Sequence, residues 1–337
     1  MMKSGESDMN KVSVGIIDRA GVSMLAALQA QVPPNVRIID CSAAGAQACA
    51  ELDAAITQDV FPQPGQAPRL KWIHLLSAGF EQVPAPVMQA RQWQVTHGGG
   101  PGAVPMAEWS LTMMLHFAHR VPDVLRYQQQ RSWYQNRVKD MTANVLRGAT
   151  VGILGYGATG RETARQAAAL GMKVWATLGR HGKAQPLAYI TPGTGDPEGT
   201  IPSRWFKLEE LHEVLPELDY VVLGLRASPA TRHLINAMSL KRFKPSAVLI
   251  NPARGALVDE AALIAALREG QLAGAALDVF EKEPLPADHP LRDAPNLLIS
   301  PHCSPESKFY RQEMINIVLA NLQRFAEGQP LLNVIGS

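Results

Sequence analysis

The chain has 337 residues, of which 46% are apolar and 18% charged. One domain per ~150 residues gives about two domains; the apolar share is enough for a sizeable core and excludes a mostly disordered chain. Thirty-two basic residues against thirty acidic ones leave +2, which excludes a nucleic-acid binder relying on a broad basic face.

Residues 1–11 are polar, lack a hydrophobic signal core and read as a frayed tail. Residues 12–17, 36–39 and 72–76 read as strands alternating with Ala-rich helices; the last two have the short, apolar, β-branched look of buried strands. Gly98-Gly99-Gly100-Pro101-Gly102 is a strong breaker. Residues 106–119 are helical in length and apolar nearly all round, as in a helix buried between layers. A cleaner series of strands follows at 151–154, 174–178, 220–225, 247–250, 275–279 and 297–299, with helices at 161–170 and 208–215. A further helix is punctuated by Asp259 as N-cap, by Leu263 and Leu267 one turn apart, and by Gly270 just past its end. Strands alternating with helices imply right-handed crossovers and parallel sheets covered on both faces. Residues 185–202, rich in Pro and Gly, break this rhythm and read as a long inserted surface loop.

Gly155-Tyr156-Gly157-Ala158-Thr159-Gly160 is a G-x-G-x-x-G loop between a strand and a helix. The first glycine makes a tight turn, the second lets backbone approach a pyrophosphate, and the third lets helix pack on strand. The free amides at the helix start, Ala158 and Thr159 among them, then face phosphates. An acidic residue at the end of the second strand would bind the ribose diol of NAD. Here that stretch is Leu178, Gly179, Arg180, His181, Gly182 and Lys183, with no carboxylate and two firm cations. Arg180 and Lys183 suit a 2′-phosphate, so NADP(H) is expected over NAD(H), which stays possible.

Three later segments end strands where open α/β sheets bind ligands. They are Asn251-Pro252-Ala253-Arg254-Gly255, Asp278 through Pro286, and Ser300-Pro301-His302. Together they offer an arginine, an Asp, a Glu and a His.

With these residues the sequence resembles the D-isomer-specific 2-hydroxyacid dehydrogenase family over nearly the whole chain. The glycine loop, "INPARGALVDEAAL", "GQLAGAALDVFEKEPLP" and "ISPH" follow one another in the family's order and spacing; "LSAGFEQV" and "VPMAEWSL" look like its substrate-loop and linker-helix signatures. The resemblance implies an α/β fold of two Rossmann-like domains with parallel sheets. The substrate domain is then discontinuous, 1–108 plus 304–337, around a cofactor domain at 109–303, with a hinge and a closing cleft. It implies His302 as acid/base, Glu283 as its partner and Arg254 as substrate clamp, with Glu281 the alternative partner. A histidine can hold a proton near neutral pH, and a nearby glutamate favours imidazolium and orients the ring. An arginine fork fits a carboxylate and polarises a carbonyl. Ser77, Ala78 and Gly79 match the loop whose amides bind the substrate carboxylate. Asp278, Ala253 and Leu225 fall with the cofactor, Asp278 at the nicotinamide carboxamide. Glutamate at 283, where formate-oxidising relatives place Gln, favours alcohol–ketone chemistry.

The expected function is an NADP(H)-dependent 2-oxoacid reductase of the glyoxylate or hydroxypyruvate type. The alternative is a dinucleotide-sensing co-repressor-like binding protein of the same fold. A homodimer is expected by resemblance, through the 106–119 helix and the Trp133-Tyr134 arm. No nucleic-acid or membrane partner is expected, since no apolar run approaches ~18 residues. Cys41, Cys49 and Cys303 cannot all pair and lack metal spacing, which implies a cytoplasmic setting. His116 and His119 stand i, i+3 without an acidic or cysteine companion, so no metal is expected. Three features depart from the family pattern: Arg226 in place of a common proline, the run Cys303-Ser304-Pro305, and the long 185–202 insertion.

Overall fold

The computed structural model describes residues 11–90, 92–133, 135–179, 182–183 and 188–336. Its strands are β1 (Val12–Ile16), β2 (Val36–Asp40), β3 (Ala54–Thr57), β4 (Trp72–Leu75), β5 (Gln94–His97), β6 (Thr150–Leu154), β7 (Lys173–Thr177), β8 (Arg204–Phe206), β9 (Tyr220–Leu223), β10 (Val248–Asn251), β11 (Gly274–Leu277) and β12 (Leu297–Ile299). The longer helices are α1 (Ala103–Ala118), α2 (Val121–Gln130), α3 (Ala158–Ala169), α4 (Glu260–Arg268) and α5 (Lys308–Ala326).

The chain forms two compact units: Met1–Gly102, Leu187–Thr191 and Ser307–Ser337 in the first, Ala103–Pro186 and Pro192–Glu306 in the second. The units change over after Gly102 and after Glu306, near the expected 108 and 304, and α1 begins right after the glycine breaker rather than at Met106.

The first unit is a five-stranded, all-parallel sheet in the order β2-β1-β3-β4-β5. Side chains alternate between faces along a strand, so each strand feeds two cores. Val14, Ile16, Ile38, Ile56 and Trp72 pack with Met314, Ile317, Val318 and Leu322 of α5. Ile17, Ala55, Ile73, Leu75 and Val95 pack with Val83, Val87 and Trp93. Each such side chain, fully buried, contributes about 1.5–3 kcal/mol. Buried polar groups interrupt the apolar rows at Thr57, His74 and Thr96. His74 on β4 has no exposed surface, and its Nδ1 lies 2.8 Å from the Thr96 hydroxyl that also accepts the Trp72 indole N–H. Burial, with the neighbouring His97, pushes its pKa down to about 3, so it is held neutral.

The second unit is a seven-stranded, all-parallel sheet, β12-β11-β10-β9-β6-β7-β8. The chain builds outward from β6 through β7 to β8, then returns to β9 and builds outward the other way. That reversal puts the crevice at the C-terminal ends of β6 and β9. On β9, Tyr220 and Val222 face one core and Val221 and Leu223 the other. α1 adds Met113, Met114 and Ala118 to the first of these and packs on α3 and β10. On α4, Asp259 caps Ala262 N–H at 3.0 Å and Gly270 takes φ +68° past the end, as the punctuation predicts.

The insertion is not simply a surface loop: Thr191 and Asp196 are buried. Its segment Leu187–Thr191 belongs with the first unit. There Tyr189 N–H donates to Asn333 Oδ1 (3.0 Å) and Tyr189 O–H to Glu313 Oε2 (2.8 Å). Gly100 lets it approach: at φ +108°, an added Cβ would lie 2.5 Å from the Tyr189 carbonyl oxygen.

Candidate active site

The glycine loop turns at the sheet's reversal point. Gly155 has φ +105°, and a Cβ there would lie 2.4 Å from Gly224 after β9. Its N–H donates to Thr177 Oγ1 at the end of β7 (2.8 Å). A Cβ on Gly160 would lie 2.1 Å from the Gly155 carbonyl oxygen, so the third glycine sets helix against strand. Gly157 differs: nothing stands within 4 Å of its Cβ position. It is the N-cap of α3, whose first helical bond runs from Arg161 N–H to Gly157 C=O at 2.9 Å. The N–H groups of Ala158, Thr159 and Gly160 therefore have no partner within the helix. Open space over an uncapped 12-residue helix fits a pyrophosphate.

Past β7, Leu178 N–H donates to Phe206 C=O (2.8 Å) and Gly179 bridges Gly182. Arg180 and His181 lie outside the described residues. Lys183 is exposed, with its ammonium 5.8 Å from the Trp205 ring centroid. Its carbonyl accepts from Arg161 Nη2 at 2.7 Å, and Arg161 Nη1 donates to the Asp196 carbonyl. Arg161 is only 3% exposed and also stacks on Tyr156 at 4.8 Å. Tyr156 O–H donates to Asp196 Oδ2 (2.6 Å), and Gly195 N–H to Glu162 Oε2 (2.7 Å). Burial and the Asp196 carboxylate push the Tyr156 phenol well up. The insertion is thus buttoned onto the glycine loop and the first turn of α3.

Beyond β10, buried Asn251 shapes the arginine loop. Its Oδ1 accepts Ala253 N–H (3.0 Å) and its Nδ2 donates to Arg254 C=O (2.9 Å). Arg254 is half-buried in extended backbone. Its Nη1 donates to Ala253 C=O at 2.7 Å. Gly255 presses on the Phe280–Glu281 peptide; a Cβ there would lie 1.9 Å from the Phe280 carbonyl carbon. The arginine loop and the Glu283 segment are therefore packed face to face.

Glu283 and His302 meet. His302 Nδ1 is 2.7 Å from Glu283 Oε2, while Glu283 Oε1 accepts Phe280 N–H at 2.9 Å. The His302 side chain is 49% exposed, so the outer nitrogen has room for a substrate. With Nδ1–H on Glu283, Nε2 is the exchanging position. Glu281 is engaged elsewhere, with His233 Nε2 and Arg232 Nη2, so Glu283 is the partner. His302 itself sits at φ +51°, a left-handed conformation that a non-glycine residue keeps only when its surroundings impose it.

Asp278 imposes it. This fully buried carboxylate accepts Ser300 O–H (2.6 Å) and Cys303 N–H (2.9 Å) at Oδ1, and Ser304 N–H (2.9 Å) at Oδ2, while its carbonyl accepts His302 N–H (2.8 Å). Burial and the Asp278 carboxylate push the Cys303 thiol up, which keeps it protonated beside the histidine.

The turn at Ser77, Ala78 and Gly79 belongs to the first unit, just past β4. Ser77 Oγ donates to Gly79 C=O (2.7 Å) and accepts from Gln82 Nε2 (2.8 Å), while Gly98 N–H donates to Ser77 C=O (2.9 Å). Among the described residues no group of three or more His, Cys, Asp or Glu is placed to hold a metal ion. His116 instead stands edge-on to Phe117 at 5.4 Å.

The family described as D-isomer specific 2-hydroxyacid dehydrogenase, NAD binding domain, matches residues 111–304. The chain belongs to this dehydrogenase family. A glyoxylate reductase of Thermofilum pendens is 33% identical over 264 residues, 78% of this chain and 74% of that one. A D-isomer specific 2-hydroxyacid dehydrogenase family protein of Aeromonas salmonicida superposes with a TM-score of 0.77 at 28% identity, over 97% of this chain and 99% of that one. A D-isomer specific 2-hydroxyacid dehydrogenase of Xanthobacter autotrophicus, solved with NADPH and MES, superposes with a TM-score of 0.75 at 29% identity, over 96% and 98%. This dehydrogenase is thus an oxidoreductase with a nicotinamide-dinucleotide domain. Sequence reasoning missed Asn251, Arg161 and Asp196 as organisers, although Asn251 stood beside the arginine and Asp196 inside the 185–202 insertion, both segments already singled out.

Proposed function

We propose that this dehydrogenase reduces small 2-oxo acids, of the glyoxylate or hydroxypyruvate type, with NADP(H). The observation that carries the reading is the His302–Glu283 pair at 2.7 Å, placed by a packed turn just beyond the sheet. Reducing a ketone needs a proton on oxygen. His302 holds that proton on Nε2, and Glu283 anchors and orients the ring through Nδ1. Arg254 grips the substrate carboxylate and polarises the carbonyl. Ser77, Ala78 and Gly79 are the proposed substrate-binding residues of the first unit, a turn whose backbone amides suit a carboxylate. When bound, the dinucleotide supplies a hydride to the carbonyl carbon. Gly155, Gly157, Ala158, Thr159 and Gly160 would hold its pyrophosphate, with Gly179, Leu225, Ala253 and Asp278 along its length.

The absence of any carboxylate from Leu178 to Lys183 supports NADP(H) over NAD(H); Arg180 and Lys183 supply positive charge for a 2′-phosphate. The Xanthobacter relative's NADPH points the same way. The units divide the work, the first for substrate and the second for cofactor. No helix among the described residues is long and apolar enough to cross a membrane, and free Cys41, Cys49 and Cys303 fit a reducing cytoplasm. The test is kcat/KM for glyoxylate and hydroxypyruvate with NADPH and with NADH. The reading predicts turnover with a clear NADPH preference; equal values, or an NADH preference, refute the cofactor assignment.

A further inference from the structure

The outermost tie on the acid–base pair is a residue that touches neither partner. Glu260 is the first residue of α4 and is 9% exposed. The helix does not need it as a cap, because Asp259 already accepts Ala262 N–H. Its Oε1 instead accepts Glu281 N–H at 2.8 Å, and its Oε2 lies 3.4 Å from His289 Nε2. The N–H it holds belongs to the same peptide that Gly255 presses on. The next amide back, Phe280 N–H, donates to Glu283 Oε1, and Glu283 Oε2 receives His302 Nδ1. Residues 280–283 lie in no strand or helix, so no backbone ladder fixes them.

The geometry points to Glu260 as a positioning residue for the His302–Glu283 pair, acting through the Phe280–Glu281 peptide. The inference rests on the reading of that pair as the acid–base couple. Burial raises the Glu260 pKa, against the lowering effect of the Glu281 N–H it accepts and of His289; a buried carboxylate of this kind is costly unless its acceptor positions are used. If that tie is cut, the segment relaxes and the Glu283 carboxylate drifts from His302. Charged neighbours of His302 are then Glu283, now loosened, and Asp278, whose carboxylate binds the two amides after it. A histidine that loses its carboxylate gives up its proton at lower pH. Because reduction needs the protonated ring, the alkaline limb of activity moves to lower pH.

The experiment compares Glu260→Ala, Glu260→Asp and Glu260→Gln with His302→Ala in the full chain, reading kcat, KM and the pH profile of kcat/KM for NADPH-dependent glyoxylate reduction. Glu260→Ala is expected to lower kcat about tenfold or more, to leave the KM for NADPH unchanged and to shift the alkaline limb to lower pH. Glu260→Gln, whose amide oxygen still accepts the Glu281 N–H, recovers most of the loss. Glu260→Asp keeps the charge but loses the reach and is expected to shift the limb too. Should Glu260→Ala fail to fold, the Asp and Gln variants decide on their own. An alkaline limb that stays in place in Glu260→Ala or Glu260→Asp overturns the inference, even if the rate or stability falls. Activity retained by His302→Ala overturns the acid–base reading and this inference with it. Inactive His302→Ala beside an unshifted Glu260 series overturns the inference alone.

Discussion

Asp278 carries more of the histidine turn than any other side chain. Three donors converge on its carboxylate, and its carbonyl takes the His302 amide. A left-handed, non-glycine residue costs on the order of 1–3 kcal/mol, so the turn needs those ties to persist. Replacing Asp278 by alanine leaves buried donors unpaired, for a loss of about 2–4 kcal/mol in unfolding free energy. Asn is no conservative substitute, since its amide group would set a donor against Ser304 N–H. Urea unfolding and glyoxylate turnover are both expected to fall in Asp278→Ala and Asp278→Asn; wild-type values in either variant contradict the role. In sequence the residue is expected only as a cofactor contact. Its hold on the next turn is not legible there, because residues 278 and 304 meet only once β11 and β12 are paired. The proposed trio of Arg254, Glu283 and His302 stands out in the sequence because each member lies in a compact motif at a strand's end. The choice between Glu281 and Glu283 needed His233, which lies about fifty positions away in the chain and takes Glu281 out of contention.

At the scale of elements, β7 through β9 departs most from what sequence periodicity shows. β8 is three residues long at the sheet edge, with Arg204 exposed, too short to leave a pattern. β3 and β5 were also silent, since Ala54 and Ala55 or Gln94 and His97 do not look like strand residues until neighbours cover them. The long buried strands and α4 were readable, because runs of β-branched residues and helix caps act locally. The insertion's tie to the glycine loop was hidden for the opposite reason: Arg161 and Asp196 are 35 residues apart and carry no motif. Asp196 accepts Tyr156 O–H and the amides of Thr200 and Ile201, so its side chain holds the base of the insertion, while its backbone carbonyl and that of Lys183 both accept from Arg161. Asp196→Ala should weaken NADPH binding about tenfold, equivalent to ~1.4 kcal/mol, with little change in kcat. Fluorescence titration with NADPH checks this, and an unchanged Kd rules out a role for the insertion at the cofactor.

At the scale of the whole molecule, two properties follow from groups far from the chemistry. The segment from α1 through the arm beyond α2 exposes Leu115, Val124, Leu125, Trp133, Val138 and Val145, with Trp133 85% exposed. Large apolar side chains collected along one segment mark an association surface. A homodimer is the expected species in sedimentation velocity, dissociating in a Trp133→Glu, Val138→Glu variant; a wild-type monomer contradicts it. His74 sets an acid limit on the first unit. Its folded pKa near 3 lies below the unfolded value near 6.5, so the unfolded chain binds the extra proton between these values. Stability therefore falls as pH drops from 6.5 towards 3, by up to about 1.4 kcal/mol per pH unit from this group. His74→Leu should flatten that slope in urea unfolding between pH 7 and pH 4; an unchanged slope contradicts it. The near-neutral balance of +2 suits a molecule that holds small anions with single cations. The central claim is that His302 delivers the proton in reduction of a 2-oxo acid. Glyoxylate-dependent NADPH oxidation, followed side by side in the wild type and His302→Ala, tests it most directly. The account predicts steady oxidation by the wild type and near-complete loss in the variant; equal rates in the two, or no oxidation by the wild type, contradict it.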